Sequence, residues 1–384
     1  MTVHTADVAI AGGGIAGLWV LRRVLDAGYN AVLFEASVLG GEQTLASQGM
    51  IHGGLKYALA GLLNPASEAI ATMPARWRAC LAGSGEIDLS GLPLLSDSYY
   101  LFAERNSLGR LSTFFASKAL RGRIRRLERG QYPPAFTGFN GVVYALEDFV
   151  VDVPALTRRL VAGARGRLFR LTLNRDNCQA RGDGVEIDTG DGRLQVRRLV
   201  NCAGNGSADL SNALSASAHA MQRRPLHQVM VHAPLPAPLF AHCLTGLRRT
   251  EPRLTLTTHT HEGGTVLYLG GQLASDGVAR SDAEQIAIAR QELAACLPWL
   301  DFGEVHIDTL RIDRAEPRQA AGLRPDQAFV HASGPLLQCW PTKLTLVPDL
   351  ADRVLQQLPP AIGGDAPALS LPTPPFGAPP WTRR

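Results

Sequence analysis

His52 is the side chain best suited to chemistry in this chain. It lies in the loop Ser47-Gln48-Gly49-Met50-Ile51-His52-Gly53-Gly54, whose glycines let the backbone run close to a bound molecule. Imidazole titrates near neutrality, so a histidine here can take up or return a proton at ordinary pH. Lys56 and Tyr57 follow it, and Arg311 and Lys343 add positive charge late in the chain. A guanidinium fork matches a carboxylate or phosphate through two parallel hydrogen bonds. We therefore read His52 as a candidate base, and Lys56 and Tyr57 as candidates to bind a small anionic substrate.

Those residues need a scaffold, and the first fifty residues supply its signature. Gly12-Gly13-Gly14-Ile15-Ala16-Gly17 follows an apolar run at 8–11 and opens a helically spaced stretch at 18–27. Gly12 permits the tight turn, Gly14 lets the backbone approach a pyrophosphate, and Gly17 lets helix pack on strand. Ile15 and Ala16 begin the helix whose N-terminus faces the phosphates. A second apolar run at 31–34 ends at Glu35 and Ala36, where this fold places an acid on a ribose with a free 2′-hydroxyl. With Ser47, Gln48 and Gly49 in the second glycine-rich loop, contacting phosphate or ring, the expected cofactor is FAD.

Composition excludes several other classes. The chain has 384 residues, is 46% hydrophobic and carries a formal net charge of +4, enough for a real core and too little charge to imply a nucleic-acid partner. Cys80, Cys178, Cys202, Cys243, Cys296 and Cys339 are scattered, without zinc or dithiol spacing, and are expected to be reduced thiols. No leader or spanning segment is evident, so a cytoplasmic location is expected. Lys118, Arg121, Arg123, Arg125, Arg126 and Arg129 crowd a predicted amphipathic helix; a solvated face is the simpler reading, and weak peripheral contact with an anionic membrane the alternative. His259 and His261 alternate on a predicted strand with no third ligand nearby, which favours a polar sheet face over a metal site.

The expected fold is α/β, α+β overall, with a Rossmann-like FAD-binding domain and an inserted mixed or antiparallel β-sheet substrate domain. The first is assembled from 1–80, 147–220 and 308–358, the second from 81–146 and 221–307, and a proline-rich tail at 359–384 is expected to lack regular structure. A small meander at 184–196 leads to a strand at 199–202 that breaks at Gly204. A buried strand at 328–333 ends at Gly334, and a helix is expected over 344–355.

The residues now carry a resemblance. The chain resembles the D-amino-acid oxidase superfamily of FAD-dependent oxidoreductases. Ile51-His52-Gly53-Gly54-Leu55-Lys56-Tyr57 is similar to the isoleucine-histidine-glycine-glycine-leucine-arginine-tyrosine segment of FAD-dependent glycerol-3-phosphate dehydrogenases. Pro341-Thr342-Lys343-Leu344-Thr345 resembles that family's glycine-glycine-lysine-leucine-threonine, with Pro341 and Thr342 replacing the paired glycines. A related histidine segment occurs in L-2-hydroxyglutarate dehydrogenases. The resemblance implies hydride transfer from substrate carbon to flavin N5. Gly204, Gly334, Thr342, Lys343, Leu344 and Thr345 would join the cofactor site, with the helix start and Lys343 stabilising charge around N1 and O2. Arg311 lies at roughly the distance where that family supplies a substrate-anion arginine, so the resemblance implies His52, Lys343 and Arg311 as the catalytic set, with Arg311 joining Lys56 and Tyr57 on the substrate; Arg314, Arg318 and Arg324 compete for the role of Arg311. The resemblance leaves His52 as base or substrate contact, as structural contact, or as a covalent tether to the 8α-methyl. The expected substrate is a small anionic secondary alcohol, a 2-hydroxy acid or polyol phosphate. An amino acid or secondary amine is the alternative, and a non-catalytic flavoprotein subunit of an electron-transfer complex the alternative of another class. The electron acceptor, whether oxygen, a quinone or a protein, and the oligomeric state are not written in the motifs.

Overall fold

A computed structural model of the chain describes residues 2–54, 65–104, 124–214, 217–244, 251–319 and 327–382. The strand Thr2–Ala11 is buried from Ala6 onward, as a central parallel strand covered on both faces must be. It lies between Ala31–Glu35 and Gly192–Asn201, both parallel to it. Leu168–Arg170 and Leu336–Trp340 extend the parallel array on either side. The predicted meander is present as Cys178–Arg181 and Gly184–Asp188, antiparallel ribbons beside Gly192–Asn201. The helix Ile15–Asp26 packs on one face through Leu18, Trp19, Leu21 and Val24, with Trp19 against Trp77 at 4.6 Å between ring centroids. These elements are a Rossmann-like unit.

The second unit is a mixed sheet in the order His306–Pro317, Met221–His232, Gly264–Gly270, Leu254–His261, Ala241–Cys243, Tyr99–Ala103, Val142–Leu146 and Ile124–Arg126. All neighbours are antiparallel except Ala241–Cys243 beside Tyr99–Ala103. Phe102, Phe136, Phe139 and Trp299 cluster in its core. A short three-stranded sheet of Met50–Ile51, Phe149–Val151 and Leu94–Ser96 fixes the loop that carries His52.

Three expectations change. His306–Pro317 pairs along its whole length with Met221–His232, so 308–317 belongs to the second sheet and not to the dinucleotide unit. The strand placed at 328–333 is a half-buried hairpin arm, Phe329–Ser333; the buried parallel strand is its partner Leu336–Trp340, and Gly334 forms the turn between them with φ +59. At the C-terminal part of the basic stretch, Ile124–Arg126 forms a sheet-edge strand against Val142–Leu146 in place of a helix, while Lys118, Arg121 and Arg123 lie outside the described residues.

The tail has little regular structure and is bound along its course. Ile362 and Gly363 donate N–H groups to the Asp7 carboxylate at 3.2 and 2.9 Å, and Arg170 donates to the Pro372 carbonyl at 2.7 Å. The Leu39 N–H donates to the Pro375 carbonyl and the Leu39 carbonyl accepts from the Gly377 N–H, bracketing Phe376. Trp381, 5% exposed, then stacks on His259 of the second sheet, with centroids 3.7 Å apart and planes at 19°. The tail is therefore a strap from one sheet to the other. His259 does not sit on an open polar face: burial under Trp381 pushes its pKa down to about 3, so it stays neutral. Burial alone would raise Asp7, but the N–H groups of Gly363, Asn30 and Ile362, with Arg197, outweigh it and hold the carboxyl below its usual range. The strap's near anchor is accordingly ionised at neutral pH and weakens as pH falls through the lowered value.

Candidate active site

A cavity of about 730 Å³ opens at the carboxyl ends of the parallel strands and runs between the two sheets. Ala11, Phe34, Cys202 and Trp340, each at or just beyond the end of a parallel strand, border it, as an open α/β sheet dictates. Gly12 has φ +102, and a Cβ there would lie 2.5 Å from the Cys202 carbonyl oxygen. A Cβ on Gly17 would lie 1.9 Å from the Gly12 oxygen, so Gly17 sets helix-to-strand packing and does not border the cavity. Gly14, Ile15 and Ala16 do border it. Thr44 Oγ1 accepts the first helical N–H, from Ile15, at 3.0 Å. Glu35 stands at the end of the second strand with Ala36, its two oxygens accepting N–H bonds from Gly13 at 2.5 Å and Ser37 at 2.7 Å.

These residues fit an FAD. A Cβ at Gly12 would strike the Cys202 backbone and one at Gly14 would crowd Thr44 Oγ1, so the glycines are what keep this turn tight beside the cavity, and Glu35 borders the same space. Ser47 also borders it, and its buried Oγ has no hydrogen-bond partner among the described residues, a need that an acceptor on a bound cofactor would meet. Ser47→Ala is expected to leave the apoprotein's stability almost unchanged. It should weaken FAD binding by about 1 kcal/mol, roughly fivefold, in a flavin-fluorescence titration; an unaltered affinity would reduce Ser47 to a loop residue.

Gln48 has a further, structural part. Its Nε2 donates to the carbonyls of Thr255 at 3.0 Å and Tyr268 at 3.1 Å, so it borders the cavity while tying the glycine loop to the second sheet. Gly49, with φ +69, brings that loop against Val151. Gly204 borders the cavity opposite, also at positive φ. Thr342 and Leu344 border it beside Lys343, which is buried. Thr342 has φ +60 where the resembling family has glycine, an uncommon conformation for a β-branched residue, and its Oγ1 holds the Gln327 carbonyl at 2.9 Å. The helix starts later than expected: Leu344–Leu346 is a 3₁₀ turn and Val347–Leu355 the α-helix.

His52 borders the cavity. Its backbone N–H donates to Thr345 Oγ1 at 3.1 Å, and its Nδ1 accepts the Gly54 N–H at 3.2 Å. Thr345 is fully buried and acts behind His52 rather than on the cavity wall. Since Nδ1 accepts, the neutral ring carries its proton on Nε2.

Two expected residues lie elsewhere. Arg311 points out of the sheet, with Nη1 on the Val278 carbonyl at 2.9 Å, Nη2 on the Arg280 carbonyl, and Asp282 3.6 Å away. Side chains alternate along a strand, so Ile312, Arg314 and Glu316 share the face that borders the cavity. Arg314, whose Nε donates to the Arg224 carbonyl at 3.3 Å, takes the place expected of Arg311. Gly334 lies at the far end of Leu336–Trp340, the length of a strand from Trp340 and Pro341. Lys56, Tyr57 and Arg324 lie outside the described residues.

Sequence reasoning missed Gln228, His242 and Glu316, all bordering the cavity from the second sheet. Gln228 accepts the Tyr268 hydroxyl at 2.5 Å. Glu316 is buried with Oε2 on Arg224 at 3.3 Å and no partner for Oε1. The available signal was strand alternation among 312, 314 and 316.

The model of the DAO family, FAD dependent oxidoreductase, matches residues 7–346. The chain belongs to this family: it is an FAD-dependent oxidoreductase, and FAD is its cofactor. It is 49% identical over 390 residues to the probable FAD-dependent oxidoreductase PA4991 of Pseudomonas aeruginosa, covering 98% of this chain and 97% of that protein. The crystal structure of PA4991 matches with a TM-score of 0.83 at 43% identity, over 99% of this chain and 98% of that one. Glycine oxidase from Geobacillus kaustophilus matches at 0.64 and 17% identity, over 96% and 97% of the two chains. L-α-glycerophosphate oxidase from Mycoplasma pneumoniae, solved with FAD bound, matches at 0.65 and 14%, over 92% and 95%. The last two share the fold. No helix among the described residues is long and apolar enough to cross a membrane.

Proposed function

We propose that the substrate is a small amino acid or secondary amine bearing a carboxylate, oxidised at the carbon that carries nitrogen. The observation that carries this reading is the hydrogen bond from the Gly54 N–H to His52 Nδ1 at 3.2 Å, from which the ring tautomer is inferred. With Nδ1 holding the Gly54 N–H, the neutral ring offers a donor at Nε2 and not a lone pair. An alcohol must surrender its hydroxyl proton as it is oxidised and so needs a base. A neutral amine supplies its own lone pair and does not. Bound FAD supplies the two-electron oxidation, taking hydride from the substrate carbon. The chain's part is to hold the carboxylate at Arg314 and to present His52 at the cavity wall between the two sheets.

The secondary-alcohol reading keeps one specific support: Glu316, which borders the cavity with an unpartnered carboxylate oxygen, could take the hydroxyl proton. Anaerobic titration of the holoenzyme separates the two. Amino acids and N-alkyl amino acids are expected to bleach the oxidised flavin band and neutral amines to leave it. Bleaching by 2-hydroxy acids or polyol phosphates alone would overturn the amine reading.

The anion site has its own test. Arg314→Ala is expected to cost about 2 kcal/mol of substrate binding, roughly a thirtyfold rise in the concentration that half-bleaches the flavin. Arg311→Ala, on the opposite face, should leave that concentration unchanged. The reverse pattern would return the role to Arg311.

A further inference from the structure

We propose that His232, His306 and Asp308 form a binding site for a divalent transition-metal ion of the zinc and cobalt class, on the second sheet and separate from the flavin cavity. His232 and His306 lie directly opposite one another on the two antiparallel strands, and Asp308 follows His306 by two residues, on the same face. His232 Nε2 is 3.0 Å from Asp308 Oδ2, and His306 Nε2 is 2.9 Å from Oδ1. The imidazole centroids are 5.2 Å apart, and one donor atom from each residue falls within 4.8 Å of the others.

The donor set selects the ion. Two imidazole nitrogens with one carboxylate oxygen suit zinc, cobalt or nickel and leave a position for water, whereas calcium and magnesium favour oxygen ligands throughout. The strand ladder fixes both histidines, so the site needs no backbone movement. Both Nε2 atoms already converge on one carboxylate, where each N–H would donate to it. Binding moves the ring protons from Nε2 to Nδ1 or to solvent and puts a metal between the nitrogens and the carboxylate. The side chains of His306, Asp308 and His232 are 70%, 40% and 31% exposed, so an ion can reach them from solvent. Gln228, at the cavity, precedes His232 by four residues on the same strand, about 13 Å away. Met230, Trp381 and Leu310 pack together between them. An ion here would clamp the two strand ends beside the strap's docking point.

The test uses tag-free holoprotein treated with a chelator and dialysed, then titrated with cobalt(II) and zinc(II). The expected result is one ion per chain, a cobalt ligand-field band, and a rise in Tm with zinc, because an ion that binds only the folded state stabilises it. His306→Ala and Asp308→Asn, at exposed positions, should keep the flavin spectrum yet weaken metal binding at least about tenfold and abolish the Tm rise. His261→Ala should change neither. Absence of cobalt or zinc binding to the unaltered protein would reduce the cluster to two hydrogen bonds on one carboxylate and overturn the proposal. Binding that survives both substitutions would do the same.

Discussion

Gly17→Ala is expected to yield a protein that melts markedly earlier and purifies without its flavin. The added Cβ would meet the Gly12 carbonyl oxygen at 1.9 Å, with Ile10 Cγ2 at 3.3 Å behind it. The first obstacle is backbone, so no rotamer change relieves it. The helix Ile15–Asp26 must lift by more than an ångström, and Leu18, Trp19 and Leu21, fully buried, lose their close contact as it does. Overpacking of this kind costs about 1–3 kcal/mol or more, a Tm fall of roughly 1–4 °C or more in a chain of 384 residues. Cofactor loss follows separately, because the same lift displaces Gly14 and the helix N-terminus. Gly28→Ala is the control. Gly28, unlike Gly17, has positive φ, +85, and nothing lies within 4 Å of its Cβ position, so it should show only the backbone cost of about 1 kcal/mol. If both variants keep FAD and melt together, close packing at Gly17 is not what builds the cofactor cradle.

That contrast also shows what was legible beforehand. The first glycine motif was readable because its requirements are local: a turn, a strand, a helix start and an acid at the next strand end all fall within residues 8–35. Arg311 and Arg314 were not separable in this way. They lie three apart on one strand and so face opposite ways, but which face meets the cavity is set by pairing with Met221–His232 and by the sheet's placement over the parallel strands. Gly334 failed for a related reason. Two apolar runs flank it, and the half-buried Phe329–Ser333 reads much like the buried Leu336–Trp340; only the tertiary partner Gly192–Asn201 distinguishes them. The roles of Gln48 and Thr345 were hidden because their partners lie more than 200 residues away in sequence.

The tail shows the limit of composition most directly, and it carries the other large expectation. Trp381→Ala should cost about 3 kcal/mol, because the indole is buried against His259, Tyr268, Met230 and Val266. The same substitution should speed the release of FAD. Gly377 and Ala378 border the cavity, and they lie between an anchor on Leu39 in the dinucleotide unit and the Trp381 anchor on the second sheet. Loss of the far anchor leaves that stretch held at one end only. Proline and glycine density correctly predicts a segment without ladder hydrogen bonds, but it is silent on whether such a segment is tied down by side chains. Melting temperature and the fluorescence of flavin released after dilution measure the two effects independently. A lower Tm with an unaltered release rate would make Trp381 a packing residue alone, whereas release that quickens beyond what the lost stability explains would make the strap part of how this oxidoreductase retains its cofactor.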